Sequence, residues 1–198
     1  MTRLPLTLLA CCAVLAWPMA APAAVATTAP VATPAHDPAK IAVAVEILEN
    51  LRTVDIAKSA GTRSLMSDPH VAALSPADQL LLGQFFASEL DKRHDEMLKA
   101  LAADNVDRFT LDQLTQILVF SRISFVQQTA MAAADPTLPT PDPSKMSEQE
   151  WKDFNSIGNA DYTADFLNNF DFSSETRIVG EAVTAAIQRL SASHTPKG

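Results

Sequence analysis

Ser75-Pro76-Ala77-Asp78-Gln79-Leu80-Leu81-Leu82-Gly83-Gln84-Phe85-Phe86 opens the longest run of helical pattern in the chain. The Ser75 hydroxyl can accept from the free amides of a first turn, and Pro76 needs no hydrogen-bond partner there. Asp78 favours the positive end of the helix dipole. Behind this start, Leu82, Phe85, Phe86, Leu90, Met97 and Leu101 recur at helical spacing. One stripe is therefore apolar, and a single helix is predicted to run to about Asp104.

The same grammar extends in both directions. Upstream, Asp37-Pro38 is an N-cap followed by a first-position proline, and Ile41, Ala44, Val45, Leu48 and Leu51 make one apolar face. A short helix is predicted over residues 54–66, with Gly61 and Asp68-Pro69 as breaks. Downstream, Thr110-Leu111-Asp112-Gln113 is a capping box. Its helix carries Leu114, Ile117, Leu118, Ser121 and Phe125, widened by Phe120 and Ile123, and ends at Asp135-Pro136.

Pro136, Pro139, Pro141 and Pro143 make residues 135–146 a stiff connector. Ser147-Glu148-Gln149-Glu150 then caps a helix that presents Trp151 and Phe154 and stops at Gly158 as a C-cap. Residues 161–170 read as a further short helix. The last, 174–192, buries Ile178, Val179, Ala182, Val183, Ala186, Ile187 and Leu190. Thr110, Gln113, Leu114, Ile117 and Phe120 also match Ser147, Glu150, Trp151, Phe154 and Ile157 at identical offsets, a pattern that any capped amphipathic helix gives.

Alternating apolar runs between glycine-rich turns are absent, and the chain has 5 glycines. The expected fold class is all-α: a compact bundle of about five to seven amphipathic helices, forming a single domain over residues 37–192 with a disordered tail from 193 to 198.

Residues 1–23 read as a secretory signal. Arg3 supplies the positive start, residues 4–17 are mostly apolar, Pro18 breaks the run, and small residues follow. Ala21-Pro22-Ala23 offers small side chains at −3 and −1, so cleavage is expected between Ala23 and Ala24; Ala24-Val25-Ala26 is a second choice. Two other fates are an uncleaved anchor and a lipoprotein. Pro18 and Pro22 interrupt the run before the roughly 20 residues of a span, and Cys11 comes too early for lipidation. Residues 24–36 then form an Ala/Thr/Val/Pro leader without periodicity.

Both cysteines, Cys11 and Cys12, fall inside the signal, so the processed chain contains no disulfide or thiolate ligand. Packing alone must hold it together. Losing Arg3 takes the formal net charge from −8 to −9, and the few basic residues are scattered. Nucleic acid and anionic lipid are therefore not expected partners, because both reward clustered Lys and Arg. No membrane span is expected after cleavage.

The search for chemistry yields weak candidates. Asp91, His94 and Asp95 share a helical face at i, i+3 and i+4, a spacing that can ligate a divalent metal. No second acid-x-x-His pair exists, and His36, His70 and His194 belong to loops or tails, so a solvated face is the blander expectation. Residues 153–159 begin like a calcium loop, but Ile157 and Ala164 stand at the fifth and twelfth positions, where oxygen ligands belong. Asp161 and Asp165 lie one turn apart and could divide acid and base roles if burial split them. Nucleophile elbows, phosphate loops and His-Glu-x-x-His are absent. No catalytic residue and no cofactor are expected. Trp151 and Tyr162 are each the only residue of their kind in the processed chain and suit either core packing or an interface, with core favoured for Trp151.

Phe109-Thr110-Leu111-Asp112-Gln113-Leu114-Thr115-Gln116-Ile117, with Phe120 and the preceding Glu96-Met97-Leu98-Lys99-Ala100-Leu101, resembles exported bacterial proteins grouped as domain of unknown function 2059. The resemblance covers residues 80–134. Where that family continues into Ser-Pro-x-Gly, this chain has Ile123-Ser124-Phe125-Val126. The resemblance implies an exported all-helical protein and brings no reaction or functional residue with it.

The functional expectation is an exported, periplasmic helical protein that acts without catalysis, by protein interaction or self-association at the envelope. The alternatives are secretion or anchoring through an uncleaved signal, and a helical enzyme or ligand or metal binder with a site assembled from distant residues.

Overall fold

Asp37, Ser75, Thr110 and Ser147 each accept a hydrogen bond from a first-turn amide of the helix that follows, as their residue types dictate. The computed structural model describes residues 36–194. The expected signal, its cleavage at Ala23 and Ala24, the leader to residue 35 and the tail from 195 lie outside the described residues.

Every regular element among the described residues is helical: α1 (Pro38–Asn50), α2 (Thr53–Ser67), α3 (Pro69–Ala72), α4 (Pro76–Lys92), α5 (His94–Asn105), α6 (Leu111–Ser121), α7 (Ser124–Ala134), α8 (Glu148–Gly158), α9 (Asp161–Asn168) and α10 (Ser173–Ser193). The expected five to seven helices are thus more numerous and shorter. Two of the long predicted helices are each broken in the middle, and α3 adds a single turn at Asp68-Pro69.

The first break is at Arg93. Its amide bonds to the Leu90 carbonyl, three residues back, at 3.0 Å, and its φ/ψ of −105°/10° leaves the helical range. Its guanidinium then pairs with Glu181 of α10 at 2.5 Å. Leu82, Phe86 and Leu90 before the break, and Met97, Leu98 and Leu101 after it, all stay buried. Each half therefore packs on its own neighbours, α4 on α10 and α2, α5 on α1 and α10.

The second break separates α6 from α7 by 76°. Ile123 adopts an extended ψ of 129° and buries its side chain, so α7 starts with no cap of its own. Glu150 of α8 supplies one. Its Oε1 accepts from the Ser124 amide at 2.9 Å, while Oε2 accepts from the Ser147 amide and hydroxyl, each at 2.9 Å. One carboxylate thus closes the capping box of α8 and caps α7 as well. These donors pull its pKa from 4.5 down to about 2, the Ser124 side chain contributing most, then the Ser147 amide.

The main core gathers apolar residues of α1, α2, α4, α5, α6, α9 and α10. Phe120, Ile123, Val126, Met146 and Ile157 form a satellite core at the α6–α7 elbow. Burial of Met146 pins the end of the connector at the elbow. Burying a side chain of this size contributes roughly 1.5–3 kcal/mol. Among the described residues no single helix is long and apolar enough to cross a membrane.

Gly61 is not a helix break. It lies inside α2, where a Cβ would meet the Phe86 ring at 2.6 Å. Gly158 is likewise no left-handed cap: a Cβ there would lie 2.9 Å from the Phe120 ring. Ile187, expected in the core, is 47 % exposed on α10.

A second borrowed arrangement secures the start of α10. Asn105, wholly enclosed at the end of α5, accepts from the Asp171 amide at 2.8 Å and donates to the Leu101 and Asp171 carbonyls at 2.9 and 3.0 Å. Asp104 accepts from the Ser174 amide at 3.3 Å.

Two predictions follow from this packing. Gly61→Ala destabilises the fold by about 1–3 kcal/mol in urea melts despite better helix propensity. Gly180→Ala is the control, because nothing lies within 4 Å of a Cβ there, and it stabilises by about 0.5–1 kcal/mol. Glu150→Ala lowers the unfolding midpoint at neutral pH. A folded pKa below the unfolded value stabilises above about pH 4.5, and that stability is lost as pH falls toward 2. The gap between wild type and variant therefore narrows in melts taken down that range.

Candidate functional site

Arg52, at the N-cap of α2, and Asp55, Lys58, Thr62 and Met66 along that helix stand three and four residues apart, and across from them on α4 stand Pro76, Gln79, Leu80, Gly83 and Ala87. These two faces, with Met131 and Ala134 of α7 and Asp135 and Leu138 of the connector, line an open groove of about 960 Å³. At 1.5 Å per residue the α2 wall is roughly 21 Å long.

The groove is apolar for a reason visible in the exposures. Leu80 is 64 % exposed and Leu138 is 44 % exposed, large side chains that the core does not take up. Met66 and Met131 add flexible thioethers. The α4 wall is kept low by Gly83, where a Cβ would come within 3.3 Å of the Met66 methyl.

Charge is confined to the α2 wall and the α7 end. Asp55 lies between Arg52 at 3.7 Å and Lys58 at 3.9 Å, and Lys58 also binds Asp91. Arg63 donates to the Ser59 hydroxyl at 2.6 Å and has no carboxylate within ion-pair distance among the described residues. Asp135 accepts from the Thr137 amide and hydroxyl at 3.0 and 2.7 Å. The hydroxyl, then the amide, holds its carboxyl below the ordinary range. Arg52 itself has a φ of 54°, a left-handed turn that redirects the chain between α1 and α2.

The residues singled out from sequence lie elsewhere. Asp91 is drawn to Lys58 near the end of α4, whereas His94 and Asp95 begin α5 and pair with each other at 3.1 Å. The break at Arg93 divides the expected face, and no group of three His, Cys, Asp or Glu residues could hold a metal among the described residues. Residues 153–158 are helical, so no calcium loop forms there. Asp165 is held by Arg108 at 2.6 Å and by the Asn169 amide group at 2.8 Å. Arg108 also donates to the Asn169 carbonyl, latching the end of α9. Asp91, His94, Asp95, Asp161 and Asp165 do not line the groove.

Trp151 is 38 % exposed and meets Phe154 edge-on at 6.1 Å, while Phe154 packs against Phe120 and Phe125 at 5.7 Å. Tyr162 is half-buried against the main core. Across protein-family models, curated proteins and solved structures, nothing matches this chain.

One carboxyl outside the groove is strongly perturbed. Glu175, in the first turn of α10, is half-buried on the helix face that carries Ile178 and Val179, and burial pushes its pKa from 4.5 up to about 7. A raised folded pKa means that stability is complete below about pH 4.5 and falls as pH rises through about 7. Glu175→Gln removes that fall. It raises stability by roughly 1–3 kcal/mol at pH 8 and leaves it unchanged at pH 4, as read by urea melts at the two pH values.

Proposed function

We propose that this is an exported, non-enzymatic helical protein that works by contact with another protein, and that the α2–α4–α7 groove is the contact surface. The observation that carries the reading is the exposure of Leu80 and Leu138 together in one open, mostly uncharged groove. Large apolar side chains placed in a concavity are the usual anchors of a protein interface. Groove residues supply hydroxyls, amides and thioethers together with Arg52, Asp55, Lys58, Arg63 and Asp135, and no histidine or cysteine stands among them.

Export rests on the residues 1–23 pattern. The resemblance of residues 109–117 to the exported proteins of domain of unknown function 2059 agrees with this reading. The periplasm is the expected compartment.

Two measurements test the proposal. Fractionation of producing cells places the protein in the periplasmic extract, with an intact mass that begins at Ala24; a cytoplasmic, unprocessed chain rejects export. A photoreactive residue at position 80 or 138 gives a discrete protein adduct in intact cells, whereas one at exposed Lys99 gives none. Equal labelling from all three positions rejects the groove.

A further inference from the structure

We propose that the occupant of the groove is an amphipathic α-helix of about four turns whose edge facing α2 carries carboxylates, with Arg63 as the recognising residue. This rests on the reading of the groove as a contact surface and adds the chemistry of what it receives.

Shape gives the first argument. The two main walls are faces of the helices α2 and α4, and the α2 wall of roughly 21 Å matches a helix of about 14 residues. Small residues, Ser59, Thr62, Gly83, Ala87 and Ala134, line the groove and allow a helix backbone to approach closely. Leu80, Leu138, Met66 and Met131 stand around them to receive apolar anchors spaced i, i+4 and i+7.

Charge gives the second. The chain as a whole carries −8, yet the groove holds Arg52, Lys58 and Arg63 against Asp55 and Asp135. All three cations stand on the α2 wall, and the α4 wall has no charged residue. Asp55 is already shared by Arg52 and Lys58, Lys58 also binds Asp91, and Asp135 remains an anion at the end of α7, hydrogen-bonded by Thr137. Arg63 alone of the three cations has no carboxylate partner among the described residues, and its planar fork of donors suits one.

The test uses the full processed chain and two labelled, designed 14-residue helical peptides. Both place leucine at the same four positions of one face; one is flanked by glutamate and the other by lysine. The glutamate peptide is expected to bind about tenfold more tightly at low salt, with the preference shrinking as salt rises. Arg63→Glu inverts the preference, and Arg63→Lys keeps it in weaker form. Leu80→Glu weakens both peptides while the melting temperature holds, because Leu80 is exposed.

Equal binding of the two peptides, binding of neither, or a preference untouched by Arg63→Glu overturns the proposal. So does a dimer in sedimentation that Arg63→Glu dissolves, since the occupant is then a second copy. A position-80 adduct that persists when any of these results is found leaves the contact reading standing and removes only the acidic helix.

Discussion

The ring of Phe86, with no exposed surface, fills the space that the missing side chain of Gly61 leaves on α2, and Val179 of α10 approaches the same point. Three helices are thereby held at a separation set by one aromatic ring. Around this junction α4 and α10 make the most extensive helix pair of the fold. Their flank is closed by buried Glu89, which accepts from Lys92 and Arg189, each at 2.7 Å. Those two hydrogen bonds, Lys92 first, hold the Glu89 carboxyl below its ordinary range. Arg189 also lies over the Phe85 ring at 4.3 Å from its centre. The groove exists because α2 is drawn against α4 at Gly61 and Phe86 while the outer faces of both helices are left uncovered.

Much of the architecture was legible in the sequence. Helix starts at Asp37, Ser75, Thr110 and Ser147 follow from local chemistry, because a short polar side chain and the amides it caps are neighbours in the chain. Buried stripes such as Leu82, Phe86 and Leu90 follow from spacing in the same way. The breaks at Arg93 and Ile123 were not legible, since each depends on a partner far along the chain, Glu181 in one case and Glu150 in the other. Gly61 misled for a related reason: a glycine that punctuates and a glycine that admits a ring look alike until the ring is placed.

The groove was the least legible feature. Spacing places Leu80 off the stripe of Leu82, Phe86 and Leu90, but that it meets Leu138 and the outer face of α2 in one groove depends on tertiary packing that spacing does not show. Conversely, the residues that drew attention as chemistry, Asp91, His94, Asp161 and Asp165, share a feature that sequence displays well, close spacing of polar groups on a helix. Asp91 and Asp165 instead meet Lys58 and Arg108, cations from other elements, in exposed ion pairs of small energetic weight.

The caps that α7 and α10 take from elsewhere bear on how the chain reaches this structure. Glu150 lies 26 residues from the amide it serves, and Asp104 lies 70 from its own. α7 carries no side-chain cap of its own, so its first turn is completed only when α8 arrives, whereas at α10 Asp104 adds to a local cap, the Asp171 carboxylate that accepts from the Ser173 amide at 2.9 Å. α4, α6 and α8, by contrast, each start on a cap supplied by the residue just before them. The same dependence works in reverse: loosening α8 withdraws the acceptor of the Ser124 amide and so loosens the first turn of α7 with it.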